Sequence, residues 1–500
     1  MQSFFYQEQW QRLRESPTTN ELESLAQRVA SSFVDRYYYS DEYNREYITL
    51  LCEMATYFKK SELNQIATQA LFSIVIERLC DDFEELQTET YNRVICQVVN
   101  FLCKLPDGQD IKSQLSDFDL HTEELLYERI ETIRLSPDRK LQASIKPKKI
   151  LVLSRVTIGA DVAITSVICK RVSKFYPEAK IIVFGNAKLK QVFGPLSGLK
   201  VHELSYSRRG GLLERFLTWL DLLKKTRAEI VGLSPAEFLL IDPDSRLTQL
   251  GVLPLVPLQN YCFFNSRGRK EYSVTASISE LTNLWLDNIL GEQEFCYPSV
   301  WPESSNLQNA KQLRKMIDPE GSTTLITLNF GVGGNTRKRV GGNFEVELVL
   351  ALLRQPDICL ILDLGFGEEE QGRIKAIMRA VQQQGATVQA LNFGEIRKIK
   401  TSSQLLGVEC SIGEIAALIS VSDEFIGYDS ACQHIAAAEE VKTYTVFAGT
   451  TNVRFIRRWH ASGTNTSEII YVDTISKDSN IDNTDIIGRL LDLRQSQNLA

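Results

Sequence analysis

Glycine is nearly absent from the first 150 residues of this 500-residue chain. Gly108 stands alone there, while the other 27 glycines fall in the remaining 350 residues. Glycine supplies the tight and left-handed turns that strand-rich folds need, so a long stretch without it and without β-branched alternation reads as stacked helices. Leu63, Ile66, Ala67, Ala70, Leu71 and Ile74 recur at helical spacing behind Ser61, a candidate N-cap. Similar stripes run over 22–33, 47–57 and 91–102, and 109–131 is acidic and helical in pattern. Residues 1–135 are expected to form an all-helical domain of about five to seven helices, without the fixed period of a solenoid.

Residues 136–149 carry two prolines and several cations with little periodicity, which suggests a linker. The pattern then changes to short apolar runs alternating with helical stretches. Strands are expected at 150–155, 181–185, 200–204, 237–241 and 260–264, with helices reaching Tyr176 and over 211–226 and 277–290. Ser277 with Glu280 makes a capping box. After a Pro- and Ser-containing connector at 292–320, a second series begins. Its strands are expected at 323–329, 358–363, 387–391, 424–427, 443–447 and 469–472, and its helices at 345–354, 368–384, 411–421 and 431–440. Ser411 and Glu414 form another capping box. The fold class is α/β: two doubly wound parallel-sheet lobes, 150–300 and 301–500, preceded by the helical domain.

Acidic residues outnumber basic ones, 63 to 56, for a formal net charge of −7. That leaves no global cationic footprint for nucleic acid. Ten cysteines are scattered without a Cys-x-x-Cys pair, as expected of reduced thiols rather than a disulfide framework or zinc site. No apolar run reaches the roughly 18–20 residues of a membrane span, and Met1-Gln-Ser-Phe-Phe-Tyr-Gln-Glu lacks the basic-then-apolar order of a signal peptide. A cytoplasmic protein is expected. The linker residues Arg139, Lys140, Lys146, Lys148 and Lys149 would permit weak peripheral contact with an anionic membrane face, or simply be solvated.

In open α/β sheets, ligands bind at the carboxyl ends of strands, and four such places carry chemistry here. Thr157-Ile-Gly-Ala-Asp161 follows the first strand; Asp161 there suits a general base facing the cleft, or else complements the helix N-terminus. Asn329-Phe-Gly-Val-Gly-Gly-Asn-Thr-Arg-Lys-Arg339 offers three glycines for close approach and Arg337, Lys338 and Arg339 for phosphate, while matching neither a P-loop nor a dinucleotide fingerprint. Phe425-Ile-Gly-Tyr-Asp-Ser-Ala-Cys-Gln-His434 ends a strand and starts a helix, leaving free N–H groups at Ser430 and Ala431 for an anion, with His434 a turn further in. Val446-Phe-Ala-Gly-Thr-Thr451 is a strand end whose Gly449 and Thr450 suit a diphosphate.

Order and spacing together resemble glycosyltransferase family 9, the ADP-heptose:lipopolysaccharide heptosyltransferases, from about residue 148 to 496, some 70% of the chain. DSACQHIAAA followed by VFAGTT is the strongest match, and ILVLSRVTIGAD resembles the family's first strand and Gly-Asp loop. LLIDPDSR (239–246), NTRKR and ILDLGFGEEE (361–370) resemble, in turn, the apolar strand with its Asp and polar turn, the phosphate-binding Lys loop and the strand–Gly–Glu segment near the ribose. The sequence departs from the pattern at Ala160 and Ala431, each standing where the family has Gly; the added methyl is penalised only if positive φ is required.

The resemblance implies a GT-B fold and inverting, metal-independent transfer of a sugar from a nucleotide-diphosphate donor to a hydroxyl of a glycan, lipid-linked glycan or protein, with no other cofactor. It implies Asp161 as base; Lys338, Arg337, Arg339, Ser430, Ala431, His434, Gly449 and Thr450 around the diphosphate; Asp429 orienting that loop; Glu369 at the ribose; and Asp242 and Arg246 on the acceptor side. Two rivals stand beside it. Asp242-Pro-Asp244 is a candidate divalent-cation pair for another transferase class, and a non-catalytic binding protein would use the helical domain as its working part. That domain is also a candidate surface for self-association or a protein partner.

Overall fold

The computed structural model describes residues 3–138, 140–141, 144–206, 210–269, 272–400, 402–476 and 481–498; Arg139 of the linker lies outside them. Helices occupy Ser3–Leu13, Thr19–Ser40, Arg45–Met54, Ser61–Ala70, Glu85–Leu102, Gln109–Ser116 and Glu123–Leu135. The Ser61–Ala70 helix runs through a π-helical segment, Leu71–Ile76, into Glu77–Asp81. Ser61 is the first helical residue rather than the cap, which Lys60 occupies without a side-chain bond. The entry turn is fixed instead by Asn64, whose amide donates to the Phe58 carbonyl at 2.8 Å and accepts the Phe58 N–H at 2.9 Å.

Two all-parallel sheets follow. The first joins β1 (Lys149–Leu153), β2 (Lys180–Gly185), β3 (Lys200–Glu203), β4 (Phe238–Asp242) and β5 (Tyr261–Phe263) in the order β3-β2-β1-β4-β5. The second joins β6 (Thr324–Asn329), β7 (Ile358–Asp363), β8 (Val388–Asn392), β9 (Leu405–Glu409), β10 (Glu424–Tyr428), β11 (Lys442–Phe447) and β12 (Ser467–Tyr471) in the order β12-β11-β10-β6-β7-β9-β8. This is the expected two-lobed architecture. The strand order reverses between β1 and β4 in one sheet and between β6 and β10 in the other, so each lobe has one crevice at its switch point.

Strand alternation decides what covers the first sheet. Ile150, Val152, Ile181 and Val183 face one way, into a cluster with Val162, Ile168 and Trp285 from helices 158–175 and 278–290. Leu151, Leu153, Ile182 and Phe184 face the other way, into a cluster shared with Phe216 and Trp219 of helix Leu212–Ile230 and with the whole helical region. The helical region therefore has no separate core. Arg129 donates to the Gly251 carbonyl at 2.8 Å, and the Arg215 guanidinium stacks 3.9 Å from the Phe72 ring centre. The linker is laid along the same lobe: the Lys146 and Lys148 N–H groups donate to the Ala236 and Glu237 carbonyls, and Lys149 pairs with Glu229 at 2.8 Å.

Short helices at Leu189–Val192 and Val453–Arg458 were not expected, and three larger elements also depart from expectation. β9 lies in a segment without strand alternation, because Gly407 replaces a side chain where the Met378 thioether packs against the strand. Helix Ser304–Ile317 occupies the expected connector; it buries only Ala310 and Leu313, too thin a stripe to stand out. A helix over Asn483–Asn498 closes the described chain. Both capping boxes form, Ser277 N–H donating to Glu280 at 2.6 Å and Ser411 N–H to Glu414 at 2.7 Å. Since one apolar layer joins 1–135 to the first sheet, a chain starting at residue 136 is expected to be insoluble or to bind an apolar-surface dye strongly. A soluble, cooperatively unfolding truncation would show that the helical region has a core of its own.

Candidate functional site

At the first switch point the chain leaves β1 through Ser154-Arg155-Val156. Asp161, fully buried, holds this turn. Its carboxylate accepts the Ser154 hydroxyl at 2.6 Å, the Arg155 N–H at 2.7 Å and the Thr165 hydroxyl at 2.8 Å. Burial pushes its carboxyl up to about 6, with those hydrogen bonds opposing the rise. Val156 sits at φ +74, a strained conformation for a β-branched residue. The turn is over-determined by Asp161, by the Ser154 hydroxyl accepting the Val156 N–H at 2.8 Å, and by Asn186 on the Val156 carbonyl at 3.1 Å. Asp161 is thus sealed from the cleft it was expected to face.

At the end of β4, Asp242 is equally committed, while Asp244 is held through one oxygen. Asp242 accepts Ser245 N–H at 2.7 Å, Thr248 hydroxyl at 2.5 Å and Tyr261 hydroxyl at 2.7 Å. Asp244 accepts Ser266 at 2.7 Å and Arg267 at 2.9 Å, with Arg155 3.3 Å away. Both are fully buried, Asp244 with its other oxygen, Oδ1, left without a hydrogen-bond partner, and among the described residues no cluster of three or more His, Cys, Asp or Glu is arranged to hold a metal. Arg246, half-buried beside them, points its guanidinium at the Tyr91 ring of the helical region, 6.0 Å from its centre.

The second switch point gathers the ends of β6, β7, β10 and β11. After β6 the glycine-rich loop makes a 3-10 turn over Thr336–Lys338. The Lys338 ammonium reaches across to Asp429 at 2.5 Å, and Asp429 also accepts the Gln433 amide at 2.7 Å. Ser430 caps the helix Ala431–Ala438, its hydroxyl accepting the Cys432 N–H at 3.3 Å. Gly449, at φ +76, is obligatory: a Cβ there would lie 2.3 Å from the Arg337 carbonyl oxygen. Thr450 accepts the Asn452 N–H at 3.1 Å. Arg337 is exposed and Arg339 half-buried.

Two expected residues sit differently. Glu369 is exposed on helix Glu368–Gln383, and its neighbour Glu370 turns into the site. Glu370 accepts the Phe366 N–H at 3.0 Å with one oxygen and leaves the other, Oε1, buried without a partner. That Oε1 lies 2.9 Å from where a Cβ on Gly331 would stand. His434 is only 4% exposed, edge-on to Trp459. Burial lowers its pKa to about 4, so its imidazole is neutral near pH 7 and offers no positive charge to a diphosphate. Ala160 and Ala431 both have negative φ, so their methyls bring no backbone strain.

The lobes meet at this point. A Cβ on Gly159 would stand 3.1 Å from the His434 ring and 3.2 Å from the Ala431 Cα, so the turn before Asp161 lies directly on the N-terminal end of the Ala431–Ala438 helix. The helical region supplies a third wall, missed from the sequence because no motif marks it. Its connector 81–84 docks on the donor lobe: Arg454 donates to the Phe83 carbonyl at 2.9 Å and pairs with Glu84 at 2.5 Å, and the Phe83 ring packs against Phe455 and Trp459.

Residues 373–484 match the family model of glycosyltransferase family 9 (heptosyltransferase). A family 9 glycosyl transferase from Veillonella parvula superposes with a TM-score of 0.50 at 14% identity, covering 69% of this chain and 97% of that one. ADP-heptose lps heptosyltransferase II of E. coli gives 0.45 at 13% identity over 70% of this chain and 99% of its own, and E. coli heptosyltransferase WaaC with ADP gives 0.44 at 12% over 70% and 99%. No curated protein sequence matches the chain. No helix among the described residues is long and apolar enough to cross a membrane.

Asp161→Asn is expected to destabilise the fold by about 1–3 kcal/mol, because an amide cannot satisfy all three donors. The sign of its pH dependence follows from the raised carboxyl. Asp161 holds its proton to about pH 6 when folded, against about 3.8 otherwise. Its contribution to stability is therefore full below about pH 4 and is lost as pH rises through 6. The stability gap between wild type and Asp161→Asn, measured by chemical denaturation, should narrow between about pH 4 and pH 7; a gap that widens would mean a carboxyl held below its usual range.

Proposed function

We propose that this chain, a GT-B protein with a glycosyltransferase family 9 domain at 373–484, transfers a sugar with inversion from a nucleotide-diphosphate donor to an acceptor hydroxyl. The observation that carries this reading is the cationic turn of β6 held against a helix N-terminus: Lys338 locked on Asp429, one residue before the Ser430 cap. An ammonium has three N–H donors; those to the Asp429 carboxylate and, at 3.4 Å, to its carbonyl leave one for a phosphate oxygen. The free N–H groups at the start of the Ala431–Ala438 helix favour the same anion.

Transfer needs the bond from the anomeric carbon to the diphosphate oxygen to break as the acceptor oxygen bonds to that carbon. Negative charge then grows on the leaving diphosphate, where Lys338 and the helix end await it, preorganised and half-shielded from water. Charge stabilisation by the chain's own cation is the role we assign here, with no divalent ion required by the scheme and no cofactor beyond the donor. The partnerless Glu370 Oε1 suits a ribose hydroxyl, which would satisfy a buried acceptor. The residues flanking the first switch point, Arg246 among them, would face the acceptor. The negative φ at Ala160 and Ala431 supports an active enzyme over a non-catalytic relative, since neither substitution disturbs the phosphate-facing backbone.

Lys338→Ala is expected to lower turnover about 100- to 1,000-fold, the scale for removing one preorganised donor from developing charge. Release of nucleoside diphosphate from ADP-, UDP- and GDP-sugars measures it. A change under threefold would remove Lys338 from the site and the reading with it.

A further inference from the structure

Phe366, at the exit of β7 on the second switch point, is the most exposed phenylalanine among the described residues, 81% accessible. We propose that its ring is the platform on which the base of the donor nucleotide stacks. This rests on the transferase reading above and extends it from the diphosphate to the base.

Three observations place the ring. First, the backbone presents it. Phe366 lies between Gly365 and Gly367, at φ +78 and +83, in the turn from β7 into the helix Glu368–Gln383. Left-handed backbone on both sides carries the chain out and back around one residue, so the side chain stands clear of the lobe. A Cβ on Gly365 would lie 2.5 Å from the Glu370 Cγ, so the acid folds under the turn only because that side chain is missing.

Second, Glu370 ties the turn to the polar floor of the site. Its Oε2 accepts the Phe366 N–H at 3.0 Å, and its Oε1 is the buried acceptor without a partner. Gly331 of the β6 loop keeps the space beside Oε1 open, since a Cβ there would stand 2.9 Å from it. A ribose held in that space by a hydroxyl brings its base alongside the Phe366 ring. Third, Lys188, the N-cap residue of helix Leu189–Val192 in the first lobe, places its ammonium 4.3 Å from the ring centre. A cation at that distance lies over one face of the ring, which leaves the other face to a ligand. The contact crosses between lobes, so the ring is held over the cleft.

Single exposed apolar residues are ordinary on a protein surface. This one differs in its surroundings: glycines shape its backbone, a cation covers one face and an unsatisfied acceptor lies behind it. Every nucleobase has a flat π face, and stacking on an aromatic ring tolerates any of them. Strands β10, β6 and β7 are neighbours in that order. Lys338 with Asp429, then Glu370, then Phe366 follow the same direction across the sheet, matching the order of diphosphate, ribose and base in the donor.

Full-length wild type, Phe366→Ala and Phe366→Tyr would be titrated with ADP, UDP and GDP by calorimetry. Phe366→Ala is expected to weaken the tightest-bound of the three at least about fivefold, the low end for removing an aromatic ring from a stacked base. Phe366→Tyr keeps the ring and is expected to bind within about twofold of wild type. Phe366→Trp supplies a direct signal: nucleotide should quench its emission beyond the change seen in wild type, and inorganic pyrophosphate should not. A loss below fivefold in Phe366→Ala, an equal loss in Phe366→Tyr, or no added quenching by bound nucleotide overturns the assignment and leaves the transferase reading intact. Wild type that binds none of the three nucleotides overturns both.

Discussion

A parallel sheet buried on both faces needs an apolar layer on each side, and the first sheet obtains one of its layers from outside its own βα units. Leu151, Leu153, Ile182 and Phe184 share one cluster with Phe216 and Trp219 and with the helices of residues 3–135. This constraint fixes where the N-terminal helices sit. Once they are laid on that face, the connector after Asp81 has one direction to run, towards the donor-lobe segment 452–459, and the cleft acquires a wall that a bare pair of lobes would lack.

The donor side obeys a different constraint, close approach of backbones. Gly449 admits the Arg337 carbonyl to within a distance no side chain would tolerate, and Gly427 does the same for the Asn329 carbonyl, 2.6 Å from where a Cβ would stand. These two glycines bring the loops after β6, β10 and β11 together, and Lys338 meets Asp429 as a result. Positioning a flexible lysine by a carboxylate that is itself held by Gln433 removes rotamer freedom before a ligand arrives.

Much of this was legible in the sequence because it is local. The missing glycines announced the helices, apolar runs announced eleven of the twelve strands, and both capping boxes form as read. β9 escaped because Gly407 breaks its short apolar run, Leu405–Val408, at the point where Met378 fills the space of the missing side chain. The same division separates the site residues. Lys338, Asp429 and Ser430 stand together because strand ends at a switch point must converge, which order alone reveals. Glu370 rather than Glu369 faces inward because one residue is about 100° of helix, a distinction finer than a motif can carry.

The acids show why composition of a motif is a poor guide to which carboxylate does chemistry. Asp161, Asp242 and Asp244 all stand at strand exits, where ligands bind, yet Asp161 and Asp242 are satisfied by donors of their own lobe and Asp244 has one oxygen held by hydroxyl and guanidinium donors. Strand exits at a switch point are sharp, and a backbone as strained as Val156 needs acceptors close by. The carboxylate that evolution places there can be consumed by the turn itself. The connector 81–84, by contrast, is fixed through contacts with the other lobe: Phe83, Asp82 and Glu84 carry its docking, and the Asp81 carbonyl accepts the Asn452 amide.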